Sequence, residues 1–254
     1  MTDHLAGLKT EHILVLGATG RLGIVFINTA LALKQPPRLT LYVRPGSESK
    51  LPASVFKSAH VRVIQGQIDD ADAIKKALSP STNPEFPTVT CVLSIVGTYE
   101  SFKPLFTRDK SHPVADALRT VILPTMKSCG VSRILAPSTA AAFTYPGERE
   151  SMSRLWRVTL HFTPLMPQGH AEMVGITDAV MDAGEKDPDL NWVLFRVPHM
   201  TNQSADLKVV AGFFSPTYKA IIDVSRGSLS KWLLQEICTN EWSRRAPSVA
   251  NASS

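Results

Sequence analysis

Hydrophobic positions along this chain fall into short apolar runs that alternate with amphipathic stretches. The run His12-Ile13-Leu14-Val15-Leu16 reads as a buried parallel strand, and residues 24–31 read as the opening of a helix. Further strand-like runs lie at 38–43, 61–65, 89–96, 133–136 and 191–197, the last stopped by Pro198. Between them stand helical patterns at 70–78, which opens on an acidic cap, at 114–128, ended by Gly130, and at 169–183. Such alternation predicts an α/β fold, a Rossmann-type doubly wound parallel sheet covered on both faces. No linker or repeat divides it, so residues 1–245 are expected to form a single domain. Residues 143–168, which carry Pro146, Pro164 and Pro167, and residues 201–225 break the pattern. They are expected to be excursions at the carboxyl ends of the strands, where ligands bind in such folds. Residues 201–240, with a helix from about Ser228, would make a small carboxyl-terminal lobe, followed by a flexible tail at 246–254.

Composition narrows the class. Hydrophobic residues are 44% of the 254, near a soluble average. No apolar run approaches the roughly 20 residues of a spanning helix, so no membrane partner is expected. The opening Met1-Thr2-Asp3-His4 lacks the basic-then-apolar layout of a signal peptide, and Cys91, Cys129 and Cys238 are scattered, with no CxxC pair. A disulfide framework or metal site is therefore not expected, and a cytoplasmic setting is. The net charge of +5 is spread along the chain without a basic block. Nucleic acid is accordingly not the expected partner; a small-molecule substrate is, and the positive excess also suits an anionic cofactor.

The strongest chemical signal is Gly17-Ala18-Thr19-Gly20-Arg21-Leu22-Gly23, because a strand precedes it and a helix follows it. Gly17 permits a tight turn, Gly20 lets backbone approach a pyrophosphate, and Gly23 lets helix and strand pack closely. The helix N-terminus offers free N–H groups and partial positive charge to phosphates. Arg21 and Leu22 lie inside this turn. The second strand ends in Arg44, with no Asp or Glu beside it. An acidic side chain there would accept from the 2′-hydroxyl of NAD, whereas arginine suits the 2′-phosphate, so NADP(H) is the expected cofactor. The alternative is a surface arginine in a turn.

Other strand ends carry softer candidates. Ile68 and Asp69, after the third strand, would meet the adenine, or Asp69 and Asp70 simply cap the next helix. Val96 and Gly97 would let the cofactor lie against backbone, or Gly97 is an ordinary turn glycine. Ser138 ends the fifth strand, where its hydroxyl would face the nicotinamide and bind a substrate carbonyl, or would cap local backbone. His170 and His199 are each either proton donors or structural histidines.

Taken together, these residues resemble the atypical short-chain dehydrogenase/reductases, including NmrA-like proteins, and within them the biliverdin-IXβ/flavin reductase type. The likeness spans most of residues 11–240 and rests on Gly17, Thr19, Gly20, Gly23, Arg44 and Ser138. It extends to Gly169-His170-Ala171-Glu172-Met173, to Val197-Pro198-His199-Met200 and to Ser225-Arg226-Gly227. The resemblance implies an NADPH-dependent reductase of a small organic carbonyl, quinone or conjugated substrate. It also leaves a non-redox cyclase, isomerase or dehydratase, and a dinucleotide-sensing regulator, as alternatives. One departure matters: the family's YxxxK pair is represented only by Tyr145-Pro146-Gly147-Glu148-Arg149. Arginine replaces the lysine, and Pro146 and Gly147 oppose the helix that would align the pair.

Overall fold

A computed structural model describes residues 3–81, 85–96, 111–160 and 167–253. Its strands are β1 (His12–Leu16), β2 (Arg38–Val43), β3 (Val61–Gln65), β4 (Cys91–Ser94), β5 (Arg133–Ser138), β6 (Asn191–Arg196), β7 (His199–Thr201), β8 (Val209–Gly212), β9 (Asp223–Ser225) and β10 (Ser248–Asn251). Eight of them form one sheet in the order β3-β2-β1-β4-β5-β6-β10-β8, while β7 pairs with β9. Every pairing in the large sheet is parallel except β10 with β8. The order reverses at β1, which lies between β2 and β4, and this places the crevice of a doubly wound sheet at the end of β1.

Side-chain alternation along the strands divides the core in two. Ile13 and Val15 pack with Phe26 and Ile27 of α1 (Arg21–Leu31) and with Leu233 and Ile237 of α8 (Arg226–Thr239). Leu14 and Leu16 face the other way, toward Ile74 of α2 (Ala71–Leu78) and Ile176 and Val180 of α7 (Pro167–Lys186). That second layer also holds α3 (Pro113–Ala117) and α4 (Leu123–Ser128), joined by a π-helical turn at Leu118–Ile122. Pro124 has no N–H to return to the preceding turn, which accounts for the wider winding just before it.

The excursions contain short helices. α5 (Glu148–Ser151) and α6 (Arg154–Leu160) fold against the connection between β8 and β9, and Met152, Trp156, Phe214 and Ala250 make a third small core there.

The carboxyl terminus corrects the expectation of a flexible tail. Residues 246–251 are buried, and β10 lies inside the sheet between β6 and β8. Three residues of this segment meet different parts of the core: Val249 joins the first cluster, Ala246 the second and Ala250 the third. Asn251 then closes the segment, its Oδ1 accepting from Ser225 N and its Nδ2 donating to Ser228 Oγ. A strand of four small residues carries too weak a periodicity to be told from a polar tail by sequence.

Candidate functional site

The glycine turn occupies the sheet's switch point. Gly17 takes φ +90°, a left-handed conformation, and a Cβ there would stand 2.9 Å from the backbone of Ile95 and Val96. The turn thus presses against the end of β4, with Val96 beside it; the expected contact Gly97 lies outside the described residues. A Cβ on Gly23 would strike the carbonyl oxygens of Gly17 and Ala18, so α1 sits directly on the turn. Gly20 differs. Its Cβ would meet only Gly17 O, at 3.3 Å, and its outer side is exposed.

Gly20 is also the N-cap of α1, and no side chain caps this helix. The first-turn N–H groups of Arg21, Leu22 and Gly23 therefore point from an uncapped helix end into the crevice beside Thr19. This fits the pyrophosphate of a dinucleotide: an open glycine face, a bare helix N-terminus and no carboxylate in the turn. Leu22 itself is buried and anchors the helix, so its contribution is its backbone.

β2 lies beside β1, with Leu16 opposite Tyr42, so the exposed Arg44 stands at the neighbouring strand end. Its carbonyl accepts from Ser47 N in a turn through Gly46 (φ +78°). After β3, the two aspartates separate in role. Asp70 caps α2, Oδ1 accepting from Ala73 N at 3.0 Å, while Asp69 stays exposed and Ile68 packs at the edge of the second core. The Tyr42 hydroxyl donates to Gln67 O at 2.7 Å, and burial, then Asp70 and Asp69, push that phenol up to about 12. These contacts fix the shape of the loop where an adenine would lie.

The expected catalytic residues are held by separate contacts. Ser138 is 1% exposed, and its hydroxyl bonds Thr177 Oγ1 at 2.7 Å. Thr177 donates to Met173 O, so Ser138 is the donor of the pair. Strand parity explains the placement: Ile134 and Ala136 face the second core under α7, and Ser138 continues that row. The reading of Ser138 as a hydroxyl offered to the nicotinamide is corrected accordingly. Tyr145 precedes α5, separated from it by left-handed Gly147, and its hydroxyl accepts from Ala246 N at 3.0 Å. Arg149 is exposed, and no helix carries both it and Tyr145. The Tyr–Lys geometry is absent among the described residues.

His170 lies in the first turn of α7, with Nδ1 buried and without a hydrogen-bond partner. His199, just past Pro198 at the end of β6, is different: its side chain is 73% exposed, and Nδ1 donates to Asp223 Oδ1 at 2.9 Å across the β7–β9 pair. The carboxylate accepts only, so it fixes the tautomer and leaves Nε2 facing outward. Asp223 is a partner that spacing in the sequence did not reveal, since it lies on a strand formed by three residues.

Also unforeseen is a buried ion pair at the end of β6. Arg196 Nη1 donates to Glu148 Oε1 at 2.6 Å, and Glu148 Oε2 accepts from Thr144 N and Tyr145 N. An arginine ending the apolar run Trp192-Val193-Leu194-Phe195 was the available signal, because a charge there requires a partner.

The sequence pattern of the NAD(P)H-binding family matches residues 17–239. No curated protein matches the chain by sequence. Among solved structures it is similar to a wide-type short-chain dehydrogenase/reductase from Veillonella parvula in complex with NADP, at TM-score 0.64 and 17% identity over 95% of this chain and 94% of that one. It is similar also to a proposed epimerase from Bacteroides thetaiotaomicron, at TM-score 0.67 and 17% identity over 96% and 99%. A proposed NADH-flavin reductase from Streptococcus pneumoniae matches at TM-score 0.60 and 14% identity over 95% and 99%. At such identities the likeness shows a shared fold.

Proposed function

The chain belongs to the NAD(P)H-binding family, and on that premise we propose that it is an NADPH-dependent reductase of a small organic carbonyl, quinone or conjugated compound, working without a Tyr–Lys relay. The observation that carries this reading is the uncapped, glycine-faced start of α1 beside a strand end that offers Arg44 and no carboxylate. Gly17, Thr19, Gly20, Arg21, Leu22 and Gly23 hold the pyrophosphate, largely through backbone N–H groups. Arg44 would meet the 2′-phosphate with its charge and N–H donors. Ile68, Asp69, Val96 and Pro198 line the path of the cofactor along the strand ends. When bound, NADPH supplies a hydride, and the protein's part is to orient the acceptor and provide the proton.

For that proton the geometry favours His199. Its Nδ1–H is held by Asp223, its Nε2 is open to solvent, and the proton given up is the Nε2–H of the ring in its imidazolium form. Ser138 spends its proton on Thr177, while Tyr145 is held only as an acceptor from Ala246 N, which leaves its own proton without a fixed partner among the described residues. A non-redox reading, isomerisation or dehydration on the same scaffold, is supported by that same lack of a relay and by the likeness to a proposed epimerase.

The test is a fluorescence titration with NADPH and NADH on the wild-type protein and on Arg44→Ala. NADPH is expected to bind at least tenfold more tightly than NADH, and the variant to lose that preference. Failure to bind either nucleotide, or a preference kept in Arg44→Ala, overturns the cofactor assignment. NADPH consumption matched by product from a carbonyl or quinone panel separates reduction from isomerisation and from binding without turnover.

A further inference from the structure

Arg196 is 0% exposed, yet among the described residues two of its three nitrogens have no hydrogen-bond partner. Only Nη1 is engaged, by Glu148. The two that remain, Nε and Nη2, form the side-on edge of the guanidinium, the edge that grips a carboxylate with two parallel hydrogen bonds. The flat faces of the group are covered. Its central carbon lies 5.2 Å from the ring centre of Phe214 and 5.9 Å from that of Tyr145. Any partner must therefore approach in the guanidinium plane, at the open edge.

Two further polar atoms lie nearby. The Tyr218 hydroxyl and Ser248 Oγ are both buried, and among the described residues their one polar interaction is a weak one with each other. Ser248 is the register partner of Arg196 on β10, so both side chains leave the sheet on the same face. Burial pushes the Tyr218 phenol up to about 12, against the opposing pull of the Ser248 hydroxyl and the Arg196 charge, which places all three groups within electrostatic reach. Leaving the two Arg196 donors unmet in a protein interior is unfavourable. The cluster lies at the carboxyl end of β6, under the lobe formed by α5, α6 and the β8–β9 connection.

We propose that this cluster is a carboxylate subsite: the side-on edge of Arg196, with the hydroxyls of Tyr218 and Ser248, receives the carboxylate of an organic ligand. Glu148 does not forbid it. Its own charge is met by two backbone N–H groups and by Nη1, so a second carboxylate sees an arginine edge still carrying two donors, plus two hydroxyls able to turn toward it. Phe214 and Tyr218 lie on the β8–β9 connection, so the ligand reaches the edge by displacing that segment. The inference deepens the reductase reading and rests on it for one point, that the ligand is the substrate. It makes the substrate an acid bearing its reducible group some distance from the carboxylate.

Acetate is the probe, because the smallest carboxylates fit the edge whatever the rest of the ligand looks like. The Arg196 Nε–H resonance of the ¹⁵N-labelled full chain, assigned by its loss in Arg196→Lys, is followed as acetate and, separately, acetamide are added at constant ionic strength. Acetate is expected to shift it saturably, with acetamide at least tenfold weaker. Tyr218→Phe and Ser248→Ala, which keep the ion pair intact, should each weaken acetate threefold or more. Equal response to acetate and acetamide, no saturable response, or unchanged acetate binding in both hydroxyl variants overturns the subsite. NADPH titrations on the same samples stand apart: loss of nucleotide binding refutes the reductase reading, while the acetate result still decides the subsite.

Discussion

Arg196 and Glu148 join the carboxyl end of β6 to the start of α5 through an ion pair of 2.6 Å that is almost wholly withdrawn from solvent. The same carboxylate holds Thr144 N and Tyr145 N, so a single side chain ties the 143–152 excursion to the sheet. Removing one partner leaves a buried charge alone. Glu148→Ala is expected to lose about 3–5 kcal/mol of stability, or on the order of 10 °C in Tm for a chain of this size. Arg196→Met with Glu148→Leu should recover much of that loss, since neither charge then remains. Thermal and urea unfolding of the two variants check this, and a single variant no worse than the double one would refute it.

Two glycines of one turn are expected to fail in different ways. Gly23→Ala drives a methyl into the Gly17 and Ala18 carbonyls, so it should destabilise the fold by about 1–3 kcal/mol. Gly20→Ala meets only one oxygen, at 3.3 Å, and should leave Tm within a few degrees. Its methyl nevertheless stands on the face that a pyrophosphate must approach, and NADPH affinity should fall at least tenfold. Unfolding curves paired with nucleotide titration distinguish the two; a Gly20→Ala protein that binds NADPH normally would remove the turn from the cofactor site.

Ser138 tests whether a strand-end hydroxyl serves the ligand or the fold. Its donation to Thr177 makes the two residues one unit, so Ser138→Ala and Thr177→Val should each lose about 1 kcal/mol, and the double variant less than their sum. NADPH affinity should be unchanged in all three. A tenfold loss of nucleotide or substrate affinity with unchanged Tm would return Ser138 to the site.

Much of this arrangement was legible in the chain itself. The strands at 12–16, 38–43 and 61–65 match β1, β2 and β3 residue for residue, because continuous apolar runs beside turn residues leave few alternatives. The glycine turn was readable for a similar reason: its chemistry is backbone chemistry, and the strand before it and the helix after it are local. What escaped was non-local. Asp223 reaches His199 only because two three-residue strands pair. Glu148 reaches Arg196 across 48 positions, and β10 acquires its place from neighbours on three sides. Ser138 is the instructive case, since its parity with Ile134 and Ala136 already directed it under α7. A hydroxyl at a strand end suggested a site, and the side of the strand it occupied decided otherwise.

The pH response of the fold follows from His12, at the start of β1 and 0% exposed. Its Nδ1 donates to Pro87 O at 2.6 Å, and its Nε2 accepts from Thr40 Oγ1 at 2.7 Å, so the folded protein holds the neutral ring. Burial lowers its pKa from 6.5 to about 4, and the charges of Arg62 and Arg38 add to that effect against the Pro87 bond. A depressed folded pKa means that the unfolded chain takes up a proton the folded one refuses. The contribution is therefore complete above pH 6.5, is lost progressively as pH falls, and is gone below about 4. The total is on the order of 3 kcal/mol, with a limiting slope near 1.4 kcal/mol per pH unit. Carboxylates titrate in the same window, so the difference from His12→Gln isolates the term. That variant should be less stable at pH 7, yet lose less stability than wild type between pH 6.5 and 4.5. Urea unfolding midpoints at four pH values measure it, and parallel curves for the two proteins would show that His12 is not the titrating group.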